Sequence, residues 1–139
     1  MSARETAVSA LAAMLQGTGA DVWRDTDLSR PVPPEGAIML SEGDDQTQAI
    51  LSPLRWEHDL ACEVVITVTA EDEPTRDERM DRIISTIGDL IVADRTLGGA
   101  VDWCEPGPPT FEAAEIDGAG KSARFAITLS FVSDDTALS

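Results

Sequence analysis

Leu60-Ala61-Cys62-Glu63-Val64-Val65-Ile66-Thr67-Val68-Thr69 is the stretch on which the fold turns. Leu60, Cys62, Val64, Ile66 and Val68 alternate with Ala61, Glu63, Val65, Thr67 and Thr69. Side chains of a strand point to opposite faces in turn, so this is a strand with one strongly apolar face. Ala70–Pro74 ends it in a charged turn. The period then changes to that of a helix, from about Arg76 to Ala93, with Met80, Ile83, Ile84, Ile87, Leu90 and Ile91 on one stripe. Thr75 and Glu78 have capping-box spacing at its start. Gly88 lies on or near the stripe, where it costs about 1 kcal/mol against alanine. Close packing of the helix onto a sheet would make that cost tolerable.

Working outward toward the N-terminus, Ala37–Leu40 reads as a short apolar strand and Gln46–Leu51 as a weaker one, with Ser41–Asp45 as a polar, acidic turn between them. Arg30–Pro34 is a proline-stiffened loop. Val22–Arg24 reads as a short strand. Ala3–Gln16 predicts a helix with Val8, Leu11, Ala12 and Leu15 on its apolar stripe and with Ser2 and Glu5 in capping-box spacing. Gly17 and Gly19 stop it, since glycine readily supplies a left-handed turn.

Toward the C-terminus, Gly98–Pro109 reads as irregular. A strand is expected from Thr110 to Ile116, a hairpin turn at Asp117–Gly120 and a last strand at Ser122–Val132. Ala123, Phe125, Ile127, Leu129 and Phe131 share one face of that strand. The order helix, strands, helix, strands implies an α/β chain of the α+β kind, with two helices packed on one face of a mixed or mainly antiparallel sheet. A single domain is expected over residues 1–132, with 133–139 as a flexible C-terminal tail.

Composition narrows the function classes. The 139 residues include 26 acidic and 10 basic ones, a formal net charge of -16, and are 42% hydrophobic. With Lys121 as the one lysine and no basic run, specific binding to a nucleic-acid backbone is not expected. An acidic membrane leaflet is an equally poor partner. An acidic wall beside which DNA passes without sticking is compatible with the charge. No secretory signal is visible in Met1–Gln16, so the expectation is an intracellular chain whose Cys62 and Cys104 stay free thiols.

No catalytic, cofactor-binding or metal site is expected. Glu115-Ile116-Asp117-Gly118-Ala119-Gly120-Lys121-Ser122 matches the end of a P-loop. Glu115 stands where the first glycine is required, Asp117 adds a second carboxylate, and a strand follows where a helix N-terminus should receive the phosphates. The reading is a hairpin. His58, Cys62 and Cys104 are too few for a structural zinc site. Cys62 is expected in the core, Cys104 in a loop and His58 at the surface or a sheet end. A Cys–His nucleophilic pair would need His58 beside Cys104 or Cys62 in space, with an orienting group, and nothing local suggests a strained nucleophile turn. Trp23, Trp56 and Trp103 either close the edge of the core, which is the favoured reading, or anchor an interface.

Asp94-Arg95-Thr96-Leu97-Gly98-Gly99 directly follows the second long helix, and Val22-Trp23-Arg24 follows the first and precedes Pro31–Gly36 and Ala37–Leu40. With the order of elements from Ala3 to Val132, this resembles the tail terminator, or tail-completion, proteins of long-tailed bacteriophages and related prophage elements. The resemblance implies a structural, non-enzymatic virion protein without a cofactor. It implies a ring, usually a hexamer of the chain itself, that caps the tail tube and joins it to the head–neck connector. The tail tube protein and the connector protein would be its partners. Its location would be the virion tail or neck, after assembly in the host bacterial cytoplasm. Asp94, Arg95, Thr96, Leu97, Gly98, Gly99, Trp23 and Trp103 are the candidate interface residues. The alternatives are another neck or minor tail protein and a small hydrolase or nucleotide-binding enzyme.

Overall fold

The computed structural model describes residues 1–24, 30–114 and 120–139. Helix α1 spans Ala3–Gln16 and helix α2 spans Glu73–Ala93. The strands are β1 (Asp21–Trp23), β2 (Ala37–Leu51), β3 (Leu54–Thr69), β4 (Trp103–Pro106), β5 (Thr110–Ala114) and β6 (Gly120–Asp134). They form one sheet in the order β1-β2-β3-β6-β4, with β5 also on β6. Among the described residues only the β1–β2 pairing is parallel. Both helices pack on the same face, as expected.

The alternating face of β3 is the floor of the core. Leu60, Cys62, Val64, Ile66 and Val68 are fully buried with Ile127 and Leu129 of β6, beneath Leu11 and Leu15 of α1 and Met80, Ile87 and Ile91 of α2. Ile84 and Leu90 are only partly covered. α1 has the expected bounds, and the Ser2 side chain accepts from Glu5 N at 3.1 Å. The Glu5 carboxylate does not close the box. It accepts from Ser9 Oγ at 2.9 Å and from Arg24 at 2.5 and 3.1 Å.

Several elements differ from expectation. Ser41–Asp45 is no turn: β2 runs through it with a register shift between Glu42 and Asp45. A Cβ at Gly43 would stand 2.5 Å from the Ala61 carbonyl oxygen, so a glycine lets the bulged strand pass its neighbour. The true turn is Ser52-Pro53, with a cis peptide, and β3 begins at Leu54 rather than Leu60. Arg55, Glu57 and Asp59 hide the strand's period, because they fill its solvent face with charge. α2 begins at Glu73. Asp72, not Thr75, caps it by accepting from Thr75 N at 3.1 Å, and Pro74 fits the first turn because its missing N–H has no partner there anyway. The left-handed glycine after α1 is Gly19, φ 84°, whereas Gly17 stays helical at φ -65°. A Cβ at Gly88 would meet nothing within 4 Å, so close packing is not its reason.

Gly98–Pro109, expected irregular, contains β4, which pairs with β6 from Trp103↔Ser130 to Pro106↔Ile127. This places Cys104, itself buried, on a strand rather than in a loop. Ser133 and Asp134, expected in the tail, extend β6, and the Ser139 carbonyl accepts from Ala3 N at 2.9 Å. Of the expected hairpin turn, Asp117–Ala119 lie outside the described residues, as do Glu115 and Ile116; Gly120, Lys121 and Ser122 open β6.

Candidate functional site

The register of the strands decides what the uncovered face of the sheet carries. Residues paired across strands share a face. Glu57, Asp59 and Glu63 of β3 therefore lie on the face opposite the helices, with Ser41, Gln46 and Gln48 of β2 and with Arg124, Ala126, Thr128 and Ser130 of β6. Glu105 of β4 and Glu112 of β5 join them. Ser130 Oγ donates to Asp59 Oδ1 at 2.6 Å, and Arg124 pairs with Glu63. The result is a polar face on which carboxylates outnumber cations. One corner is covered: Trp23, Ala37 and Met39 form a second small cluster with Val32 and Val65.

The candidate interface residues have distinct places. Trp23 is 7% exposed; its Nε1 donates to Asp21 at 3.0 Å and the Arg30 guanidinium lies 4.8 Å from its ring centre. Trp103 is half exposed, with the Arg95 guanidinium 4.7 Å over its ring. Arg95 also pairs with Glu105 and donates to the Cys104 carbonyl at 3.1 Å, so it clamps the loop after α2 to β4. Asp94 organises that loop from within. Its carboxylate accepts from Thr96 N, Thr96 Oγ1 and Gly98 N at 3.1, 2.8 and 2.7 Å. Those bonds, led by the Thr96 hydroxyl, hold its pKa below the usual carboxylate value. Leu97, Gly98 and Gly99 take φ of 50°, 72° and 92°. The loop thus brings Arg95 to Trp103, but Trp23 is far along the sheet order, on β1.

Sequence reading missed one constellation. His58, expected at the surface or a sheet end, is buried and stacked on Phe131 at 4.6 Å. Its Nδ1 is 2.9 Å from Asp45 Oδ2 and its Nε2 2.7 Å from Ser133 Oγ. Arg4 pairs with the same Asp45 oxygen. An acid–imidazole–hydroxyl row is the order of a nucleophilic triad. Here, however, Ser133 is 3% exposed and its hydroxyl also lies 3.0 Å from the Thr136 carbonyl, which it can donate to. No local signal marked these residues, which come from three elements and meet only through strand register.

The structure also has an open depression of about 400 Å³ lined by Val32, Pro34, Thr69, Glu71, Asp72 and Arg79. It lies at the end of β3 remote from His58, about 35 Å away at the usual rise per strand residue. Its polar groups serve the fold: Asp72 caps α2, and Arg79 donates to the Thr69 carbonyl at 2.6 Å. Lys121, from the P-loop-like segment, pairs with Asp77 of α2 at 2.6 Å. Among the described residues no group of three or more His, Cys, Asp or Glu could hold a metal ion. Among the described residues no helix is long and apolar enough to cross a membrane.

Both cysteines are free and buried. They share the helix-covered face but have β6 between them, Cys62 opposite Ile127 and Cys104 opposite Leu129. Two strand spacings separate them by about 10 Å, beyond disulfide reach. Burial pushes the Cys62 thiol up to about 12 and the Cys104 thiol up to about 11.

No protein-family model matches the chain, and no curated protein does. Among solved structures, a chain from the virion of a native gene transfer agent particle is similar over 95% of this chain and 92% of that one, at 11% identity and a TM-score of 0.40.

Proposed function

We propose that the chain is a structural protein of a phage-type tail: a tail terminator whose copies form a ring, a hexamer by the sequence resemblance, that caps the tail tube and joins it to the head–neck connector. The observation that carries this reading is the carboxylate-rich face of the sheet opposite the helices, between two edges that are unpaired among the described residues. A face of that charge suits the wall of a channel that DNA must cross without binding, since phosphates are repelled by it. In this reading the Asp94–Gly99 loop and the half-exposed Trp103 lie at a contact with a neighbouring copy or with the tube protein. Trp23, covered by its own chain, stays out of it. The protein would be found in the tail or neck of the particle, having assembled in the bacterial cytoplasm.

The test is deletion of the coding sequence from the element that carries it, with tail length measured by electron microscopy. Loss of uniform length is the expected result. Tails of normal, uniform length sink the terminator reading. Arg95→Glu refines it: the expected outcome is impaired assembly with modest loss of thermal stability, because an edge arginine contributes less to folding than a core residue.

A hydrolase is the second reading, favoured by the Asp45–His58–Ser133 row alone. A serine-directed fluorophosphonate decides it. Stoichiometric labelling of Ser133 in the folded protein would overturn the structural reading of that row, and no labelling is expected for a hydroxyl this deeply buried.

A further inference from the structure

We propose that the free edge of β2 at Gln46–Leu51 pairs with the free edge of β5, Thr110–Ala114, of a second copy, so that copies join head to tail through one continuous sheet. This deepens the assembly reading above and rests on it for the choice of a second copy as partner.

The two margins of the sheet differ in how they are covered. β1 covers β2 only at Ala37–Met39. Beyond that, among the described residues, β2 is paired on one side, by β3. Every second residue then presents its N–H and C=O outward, and natural edges are usually blunted by Lys, Pro, charge or a bulge. Gln46–Leu51 has none of these within it. The bulge with Glu42 and Asp44 stands at one end of this window and Pro53 at the other. The opposite margin of the sheet is divided. β4 is guarded, because Arg95 takes its Cys104 carbonyl and Pro106 ends it. β5 is paired only with β6 among the described residues, and its 5 residues are about as long as the β2 window.

Charge favours the same two edges. Copies carrying a net -16 repel one another, so a contact between them must run through uncharged surface. Gln46–Leu54 contains no charged residue, and β5 contains one, Glu112. Exposed apolar side chains sit at the same two margins: Leu51 at 79% and Leu54 at 50% beside the β2 window, Phe111 at 49% on β5. The two edges differ, so the contact is heterologous. It propagates from copy to copy and closes a ring if the rotation allows.

Gln48 and Glu112 share the open face of their strands, which makes a cross-linking test direct. Gln48→Cys and Glu112→Cys chains are mixed at near-millimolar concentration with a short bismaleimide, whose span tolerates a shift of register. The mixture should give several-fold more covalent dimer than either variant alone, and a chain with both substitutions should give a ladder. Wild-type protein, with both native thiols buried, is the blank. Thr110→Cys, on the same face of β5, replaces Glu112→Cys if the latter does not fold. Gln48→Cys cross-linking to itself as well as to its partner would mean that β2 pairs with β2, and the proposal fails. Folded variants that give no product in any combination also overturn it. Neither failure touches the tail-length experiment, which tests the terminator reading without reference to the edge.

Discussion

His58 Nε2 lies 2.7 Å from Ser133 Oγ, a contact spanning 75 residues of sequence that ties the start of β3 to the end of β6. On its other side the ring meets Asp45 of β2 at 2.9 Å, and Asp45 in turn holds Arg4 of α1. The buried imidazole joins three strands, and Asp45 links them to α1. Ser133→Ala leaves that imidazole nitrogen unpartnered, at a cost of about 1–3 kcal/mol. Urea unfolding measures it. A loss below about 0.5 kcal/mol, the range of neutral surface changes, would mean that water replaces the hydroxyl.

The core should respond according to burial rather than sequence pattern. Leu129→Ala and Ile87→Ala, at fully or nearly fully buried sites, should each cost about 2–5 kcal/mol. Ile84 shares the helical stripe but is only partly covered, so Ile84→Ala should cost clearly less. Equal losses at Ile84 and Ile87 would show that the stripe, and not the observed packing, sets the energetics.

Gly88→Ala should stabilise the isolated chain by about 0.5–1 kcal/mol, because α2 gains helix propensity and the new methyl meets nothing within 4 Å. Thermal unfolding reads the gain. A destabilised variant would indicate that a neighbouring copy already occupies that space in solution.

Glu5 gives a pH-dependent test. The Arg24 hydrogen bonds, then that from Ser9, lower its pKa from 4.5 to about 2. A folded pKa below the unfolded one means the contribution is whole above about 4.5 and is lost as the pH falls through about 2. The advantage of wild type over Glu5→Gln, measured by urea unfolding, should therefore shrink across that window and vanish below it. It should also be small, since the pair is exposed and screened.

The two thiols should be silent in the native state. With Cys62 and Cys104 pushed up to about 12 and 11, neither should react with Ellman's reagent at about pH 8 until the chain unfolds. Rapid native reaction of Cys104 would mean that β4 opens from β6.

Periodicity and caps were enough to read much of this protein from its residues. The alternation from Leu60 to Val68, the stripe from Met80 to Ile91 and the Ser2 cap are local, because each is set by the geometry of neighbouring residues along the chain. The two helices on one face of the sheet followed, since both stripes need the same apolar cover. The errors came where another strand outweighs local chemistry. Ser41–Asp45 looks like a turn by composition, yet pairing with β3 carries the strand through it, with Gly43 allowing the close pass. Trp103–Pro106 looks irregular, yet β6 offers it a partner for its backbone. The Asp45–His58–Ser133 row and the acidic face had no sequence signature at all. Period alone says which residues share a side of one strand. Register, settled by burying the common face, says which residues of different strands meet. The sequence by itself therefore determined the elements and their apolar faces. Only the tertiary structure decided the buried imidazole, the composition of the open face and which edges are unpaired among the described residues, because each depends on partners far away in the chain.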